Sequence, residues 1–246
     1  MRTVAVIPAR YASSRYPGKP LVPLLDKPMI LWVAELSAEA LGADNVYVAT
    51  EDTRIAEVVE KAGFRTVMTS EQAPTGTDRL AEAAEKIDAD LYINVQGDEP
   101  LVNPEDILKV RDAKTAHPTH VVNGYTWLSP EEEPANINIP KVATTESDQL
   151  VYMSRNPLPG HKEAKKAPEG YKKQVCIYAF TREELAAFAG FGRKSTLEAS
   201  EDIEIIRFFD LGIPVLMVET GSGSLAVDVP EDVKPVETAL RRKHNL

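Results

Sequence analysis

Short apolar runs rich in β-branched residues alternate with helical patterns through the first half of this chain. The apolar runs lie at residues 4–8, 45–50, 66–69 and 91–95. Between them, apolar residues recur at helical spacing over residues 29–41 and 55–59, and Gly63 then gives a helix stop signal. This alternation is typical of parallel strands connected by helices. The sequence therefore predicts an α/β fold in which helices flank a mostly parallel, twisted sheet.

The pattern is less regular over residues 123–192, which are rich in Pro and Lys. Two apolar runs there predict strands at residues 141–144 and 174–180. Because such runs need a partner surface, we expect an inserted α+β lobe rather than a long flexible loop. A helix over residues 201–211 and a strand over 215–218 then resume the first pattern. The predicted parts are a core over residues 1–122, the inserted lobe over 123–192 and a return to the core over 193–246.

The composition points to a small-molecule partner. The 246 residues carry a formal net charge of −10, which argues against a protein that coats nucleic acid, because such proteins need basic surfaces to bind phosphates. Cys176 is the only cysteine, which excludes a disulfide framework and a multi-cysteine zinc site. No apolar window is long enough to span a bilayer, and the first residues do not resemble a signal peptide. We therefore expect a soluble, cytoplasmic protein without a membrane span.

The loop after the first predicted strand is strongly basic, although the whole chain is acidic. Within residues 1–25 every charged side chain is basic, namely Arg2, Arg10, Arg15 and Lys19. Ligands bind at the carboxyl ends of the strands in such sheets, and Arg, Lys and the hydroxyls of Ser13 and Ser14 suit phosphate oxygens. The loop contains neither G-x-x-x-x-G-K-[ST] nor G-x-G-x-x-G. It predicts a triphosphate site of another kind, and the alternative is an ordinary solvated loop.

Two aspartates are candidate metal ligands. Asp98 follows an apolar strand in YINVQGDEP, and Asp228 lies in LAVDVPEDV. Magnesium takes carboxylate oxygens together with substrate phosphates and water, so one or two protein carboxylates are enough. Each aspartate taken alone is also explained as a turn former or a helix N-cap.

A helix start is predicted in the segment TGTDR, residues 75–79. Thr77 or Asp78 would cap a helix that continues to Ile87. The first N–H groups of a helix have no intrahelical partners, so together with Arg79 they could bind an anion or the edge of a base. A plain capping motif explains these residues equally well.

These segments resemble motifs of the CMP-sugar-acid synthetases, specifically the 3-deoxy-manno-octulosonate (Kdo) cytidylyltransferase family. IPARYASSRYPGKPL is similar to the opening signature of that family, YINVQGDEP to its VNVQGDEP motif, TGTDR to its S-G-T-x-R motif and AVDVPEDV to its GVDTPEDL motif. The resemblance implies a Rossmann-like nucleotidyltransferase fold and magnesium-dependent transfer of CMP from CTP to the anomeric hydroxyl of a sugar acid. It also implies a homodimer paired through the inserted lobe, and a product used for lipopolysaccharide or capsule.

The loop and the resemblance together define a predicted nucleotide and metal site. The nucleotide-binding residues, all within the core over residues 1–122, are Arg10, Ser13, Ser14, Arg15, Lys19, Thr75, Gly76, Arg79 and Gln96. The magnesium ligands are Asp98 and Asp228. The catalytic residues are Arg10, Lys19, Asp98 and Asp228. Charge neutralisation and in-line positioning are sufficient for this chemistry, so no nucleophilic side chain is required.

The resemblance is weaker at the predicted acceptor site, which comprises Arg155, Gln174, Tyr178, Glu204 and Ile205. The guanidinium of Arg155 suits a carboxylate. Gln174 stands where the family usually has the His of H-L-G-I-Y, and Ile205 stands where it has the Gln of L-E-Q-L-R. Because Ile205 cannot form hydrogen bonds, the acceptor could be another acid, such as an amino-substituted Kdo or a nonulosonic acid. A non-catalytic nucleotide-binding module is the third alternative.

Overall fold

A nine-stranded sheet with helices on both faces is the centre of the computed structural model, which describes residues 1–13, 16–221 and 225–244. The strands are β1 (Thr3–Ala9), β2 (Pro23–Leu24), β3 (Lys27–Pro28), β4 (Val46–Thr50), β5 (Arg65–Met68), β6 (Leu91–Val95), β7 (Val121–Trp127), β8 (Lys141–Thr144), β9 (Leu150–Ser154), β10 (Lys172–Phe180) and β11 (Val215–Glu219). The helices are α1 (Met29–Leu41), α2 (Thr53–Lys61), α3 (Gly76–Lys86), α4 (Pro104–Ala116), α5 (Arg182–Gly190), α6 (Thr196–Glu201), α7 (Arg207–Asp210) and α8 (Val233–His244).

Seven strands cross the large sheet in the order β11-β7-β10-β6-β1-β4-β5. The pairs β1–β4, β1–β6, β4–β5 and β7–β11 are parallel. Along this path of described strands, β10 alone is antiparallel to both of its neighbours. The prediction of a mostly parallel sheet flanked by helices is therefore confirmed.

The strands of the core are apolar throughout because both faces of the sheet are covered. In β1, Val4 and Val6 pack on the face covered by α3 and α5, whereas Ala5 and Ile7 pack on the face covered by α1, α2 and α4. All four side chains are fully buried. Strands buried on both faces have continuous apolar sequences, which is why the first apolar runs identified these strands.

The predicted strands of the first half agree with β1, β4, β5 and β6 to within one residue at each end. The prediction that Thr77 or Asp78 caps α3 was wrong. The helix begins at Gly76, and Thr75 is its N-cap. The Thr75 side chain accepts a hydrogen bond from the N–H of Asp78 at 3.1 Å. The helix therefore begins before Thr77.

The single helix predicted over residues 201–211 was also wrong. Helix α6 ends at Glu201, and Asp202 has a left-handed backbone with φ of 51°. A 3₁₀ turn (Glu204–Ile206) and the short α7 follow. This break lets the chain turn inward, so that Ile205 and Ile206 join the core.

The irregular middle of the chain contributes to the main sheet. Strands β7 and β10 pair with each other between β11 and β6, whereas β8 and β9 form a hairpin that pairs with the first residues of β10. The boundaries of the inserted lobe, residues 123–192, stay a prediction. Within the described ranges, no helix combines the length and the apolarity that crossing a bilayer would require.

Candidate active site

A cleft of about 310 Å³ opens at the carboxyl ends of β1 and β6. Of the residues predicted from the sequence, those in its lining are Arg10, Ser13, Lys19, Thr75, Gly76, Arg79, Gln96, Asp98 and Glu204. Residues from four separate segments thus meet at one edge of the sheet. Ser14 and Arg15 lie outside the described residues, so their predicted roles stay predictions.

The parallel pairing of β1 with β6 brings the basic loop close to the acidic turn. Val6 is opposite Asn94 in the register, so the chain leaves both strands at the same edge. A Cβ atom at Gly97 would lie 2.9 Å from the carbonyl oxygen of Pro8. Only glycine allows the two strand ends to approach this closely.

The described part of the basic loop is held by Tyr11. The Tyr11 N–H donates to the carboxylate of Glu51 at 2.8 Å, and the Arg54 guanidinium stacks 3.4 Å from the centre of the Tyr11 ring. Gly18, with φ of 71°, donates its N–H to the Tyr11 carbonyl at 2.9 Å. This left-handed turn leads directly into the 3₁₀ turn that begins at Lys19.

The Lys19 ammonium lies between the two predicted metal ligands. Its Nζ is 2.6 Å from Asp98 Oδ2 and 3.5 Å from Asp228 Oδ1. The two aspartate segments are joined by a hydrogen bond of 3.0 Å from the N–H of Val227 to the Asp98 carbonyl. Val227 is fully buried in the cluster formed by α1 and α8, and it thereby fixes the adjacent Asp228. Two carboxylates that are distant in sequence thus face one cation.

These two carboxylates fit a magnesium ion that takes its other ligands from substrate and water. Asp98 and Asp228 supply oxygen donors, which magnesium prefers, and both are partly exposed. The two carboxylates can share one cation, because both contact the Lys19 ammonium. Among the described residues no group of three or more His, Cys, Asp and Glu side chains is placed to hold a metal, so a site made only of protein ligands is not present there.

The start of α3 is closed by a carboxylate of the chain itself. Glu204 accepts hydrogen bonds from the N–H of Gly76 at 3.1 Å and from the N–H of Thr77 at 2.8 Å. It also accepts a hydrogen bond from the Thr77 hydroxyl. In this structure Glu204 accepts hydrogen bonds from these N–H groups, and their predicted contact with a ligand stays a prediction.

Arg79 contributes a buried positive charge below this helix start. Its side chain is 4% exposed and forms an ion pair of 2.9 Å with Glu51. Burial lowers the pKa of Arg79, and the repulsion from Arg10 acts in the same direction. Because Glu51 also accepts the hydrogen bond from Tyr11, one carboxylate connects α3 with the basic loop.

Arg155 uses its guanidinium to organise the backbone around α6. It donates to the carbonyls of Ile137 at 2.9 Å, Glu201 at 2.5 Å and Asp202 at 2.9 Å. Arg155 is not in the lining of the cleft formed by the described residues. Its predicted role in binding an acceptor carboxylate stays a prediction.

Gln174, Tyr178 and Ile205 also lie outside the cleft lining formed by the described residues. The Gln174 amide donates to Asn123 Oδ1 at 3.0 Å and to the Tyr178 hydroxyl at 3.2 Å. Tyr178 is buried, and this burial raises its pKa well above the ordinary value. Ile205 is 1% exposed and packs in the core. The structure brings Glu204 to the nucleotide and metal residues, whereas these three side chains are not in the described cleft lining.

Comparison with known proteins identifies the family. Residues 4–212 match a family model described as cytidylyltransferase. Over 250 aligned residues the chain is 41% identical to the 3-deoxy-manno-octulosonate cytidylyltransferase of Syntrophotalea carbinolica, covering 98% of this chain and 99% of that protein. This chain belongs to the 3-deoxy-manno-octulosonate cytidylyltransferase family. It is a nucleotidyltransferase, as the sequence motifs predicted.

Other relatives of this cytidylyltransferase differ in the acid that they are named for. The 3-deoxy-manno-octulosonate cytidylyltransferase of Escherichia coli is 35% identical, over 98% of this chain and 97% of the relative. The 8-amino-3,8-dideoxy-manno-octulosonate cytidylyltransferase of Shewanella baltica is 37% identical, over 98% of this chain and 99% of the relative. The solved CMP:2-keto-3-deoxy-manno-octonic acid synthetase complexed with CTP superposes with a TM-score of 0.91 at 35% identity, covering 99% and 100% of the two chains.

Two features of this cytidylyltransferase site were not predicted from the sequence. Lys194 and Asp202 also line the cleft. Arg207 is fully buried and donates to Glu198 at 2.7 Å and to Asp78 at 2.9 Å. The segment IEIIR contains Arg207, but only its spatial neighbours reveal a buried network. No pattern around Lys194 distinguishes it from an ordinary surface lysine.

Proposed function

We propose that this chain transfers CMP from CTP to the anomeric hydroxyl of a 3-deoxy sugar acid, Kdo or a close relative, and releases pyrophosphate. The observation that carries the proposal is the position of Lys19 between Asp98 and Asp228, at the carboxyl edge of the sheet. The basic loop that lines the cleft and the two carboxylates that face Lys19 supply charges of both signs, as a metal–triphosphate complex requires.

Asp98 and Asp228 would hold the magnesium ion. When bound, magnesium neutralises the negative charge of the triphosphate and of the departing pyrophosphate. Arg10 and Lys19, which line the same cleft, would bind phosphate oxygens from the side of the basic loop. The site is therefore suited to stabilise the charge of phosphoryl transfer without a covalent enzyme intermediate.

The remaining predicted residues would position the two substrates. Ser13, Thr75, Gly76, Arg79 and Gln96 line the cleft and are proposed to contact the nucleotide. The acceptor hydroxyl would then form a bond to the α-phosphorus as the bond to the bridging oxygen of pyrophosphate breaks. Fixed placement of both groups supplies a large part of the rate enhancement of such a reaction.

An amino-substituted Kdo is the second candidate acceptor. Gln174 and Ile205 depart from the family pattern, and relatives named for the 8-amino acid match this chain over nearly its whole length.

Pyrophosphate release with a panel of acids tests the proposal. With CTP, magnesium and either Kdo or 8-amino-Kdo, we expect pyrophosphate to form in equal amount with the CMP-sugar. Chelation of magnesium is expected to stop the reaction, because the triphosphate charge is then not neutralised. ATP, GTP and UTP, tested in parallel, measure the preference for the base. Absence of pyrophosphate with every acid would contradict the proposed function.

We also propose that the enzyme is a cytoplasmic homodimer paired through residues 123–192, and that its product is used for lipopolysaccharide or capsule. The family resemblance supports this assembly. Analytical ultracentrifugation of the purified protein is expected to give twice the mass of the chain at micromolar concentration. Sedimentation as a monomer across that range would contradict the dimer and leave the proposed reaction unaffected.

A further inference from the structure

Lys194 presents a positive charge in the cleft that the reaction described so far does not use. Its Nζ forms an ion pair of 2.7 Å with Asp202, and the two side chains are 36% and 73% exposed. Both residues line the same cleft as Glu204. Exposed ion pairs are weak because water screens them, so a substrate anion can take the place of Asp202.

The backbone that carries this ion pair is rigid. Ser195, which follows Lys194, is 1% exposed and caps α6 through reciprocal hydrogen bonds with Glu198. Glu198 is itself fully buried against Arg207. At the other end of α6, the Asp202 carbonyl accepts a hydrogen bond of 2.9 Å from Arg155. The backbone on both sides of the ion pair is therefore held in place.

Of the other basic groups at or near the cleft, Arg10 is already proposed to bind phosphate, and three have partners within the protein. Lys19 faces Asp98 and Asp228, and Arg79 is buried against Glu51. Arg155, the residue expected to bind an acceptor carboxylate, donates to three carbonyls instead. Lys194 lies in the same segment of the chain as Glu204, residues 194–204. The other basic residues in the described cleft lining come from other segments.

We propose that Lys194 binds the carboxylate of the acceptor acid and releases Asp202 when it does so. This assignment rests on the proposed function, since it names the group that selects an acid over a neutral sugar. A charge-assisted hydrogen bond between ammonium and carboxylate gives this selectivity, and its partner Asp202 keeps the ammonium in place before the acid binds. Arg155 then acts as a positioning residue, because it holds the backbone of Asp202.

Replacement of Lys194 by methionine is the first test. We expect Lys194→Met to raise the KM for the acid by roughly tenfold or more and to leave the KM for CTP unchanged, because a charge-assisted hydrogen bond to the acid alone is lost. Lys194→Arg should retain most of the affinity for the acid. Lys165→Met is the matched control, since Lys165 is 77% exposed and paired only with Glu163 in the ion pairs of the described residues. Equal KM values for Lys194→Met and wild type would overturn the assignment.

A substrate without the negative charge makes the second test. The amide of the same acid should bind wild type roughly tenfold or more weakly than the acid does, while Lys194→Met should barely distinguish the two. If the loss of affinity caused by Lys194→Met and the loss caused by the amide simply add, Lys194 acts on another group and the assignment is overturned. A wild type that is inactive with every acid would instead contradict the proposed function, and the assignment of Lys194 with it.

Discussion

Lys19→Ala is expected to lower the turnover of pyrophosphate release by about 10²–10³-fold while the protein stays folded. The Lys19 ammonium is 15% exposed and faces Asp98 at 2.6 Å, so it is placed where the metal and the triphosphate meet. Removal of one preorganised charge from such a site costs transition-state stabilisation rather than core packing. Steady-state kinetics at saturating CTP and thermal unfolding of the same sample measure the two effects separately.

Lys27→Ala is the matched control, because its Nζ pairs with Glu35 at 2.5 Å and it is not in the cleft lining of the described residues. Turnover of Lys19→Ala equal to that of Lys27→Ala would contradict the role of Lys19. A second measurement does not depend on activity. In the nucleotide-free protein, Lys19→Ala should bind Mn²⁺ more tightly than wild type, because no ammonium competes for Asp98 and Asp228. Unchanged Mn²⁺ affinity by electron paramagnetic resonance would contradict that competition.

The nucleotide side of the cleft could be predicted from the sequence because its residues lie next to buried strands. The apolar runs of β1 and β6 located the strands, and parallel neighbours place their carboxyl ends together. Arg10 and Asp98 therefore met at one edge as expected. Asp228 depended on the family motif, since the hydrogen bond from Val227 to Asp98 that fixes its segment is a tertiary contact.

The surroundings of Glu204 could not be predicted in the same way because they lie in a broken helix. A helical pattern over residues 201–211 does not show that Asp202 turns left-handed and directs Glu204 towards α3. The same break exposes Asp202 to Lys194 and hides Ile205 in the core. Local propensity is a weak guide where tertiary contacts decide the backbone.

Strand β7 was not predicted from the sequence. From Asn123 onward it falls in the irregular segment over residues 123–192, and the fully buried Val121 and Val122 lie just before that segment. Its partner β10 pairs antiparallel with β6, so the simple alternation of strand and helix does not apply there. Such pairing depends on contacts between segments far apart in sequence, and these leave no periodic trace.

Arg207→Met is expected to destabilise the fold by about 3–5 kcal/mol, since it leaves buried carboxylates without their cation. The Arg207 side chain is 1% exposed. It contacts Glu198 at 2.7 Å and Asp78 at 2.9 Å, and these two carboxylate side chains are 0% and 10% exposed. For a domain of this size, roughly 2–4 °C of melting temperature corresponds to each kcal/mol, so the midpoint should fall by roughly 6–20 °C. Differential scanning calorimetry measures the change.

Neutralising the two acids separates charge from packing in this prediction. If the cost comes from unpaired carboxylates, adding Glu198→Gln and Asp78→Asn to Arg207→Met should restore part of the lost stability. Arg111→Met is the control, because its ion pair with Asp112 is exposed and is worth about 1 kcal/mol or less. A midpoint for Arg207→Met close to that of Arg111→Met would contradict the network. Asp78 also accepts a hydrogen bond from Thr75, which lines the cleft. The folded fraction of Arg207→Met should therefore bind CTP more weakly than wild type.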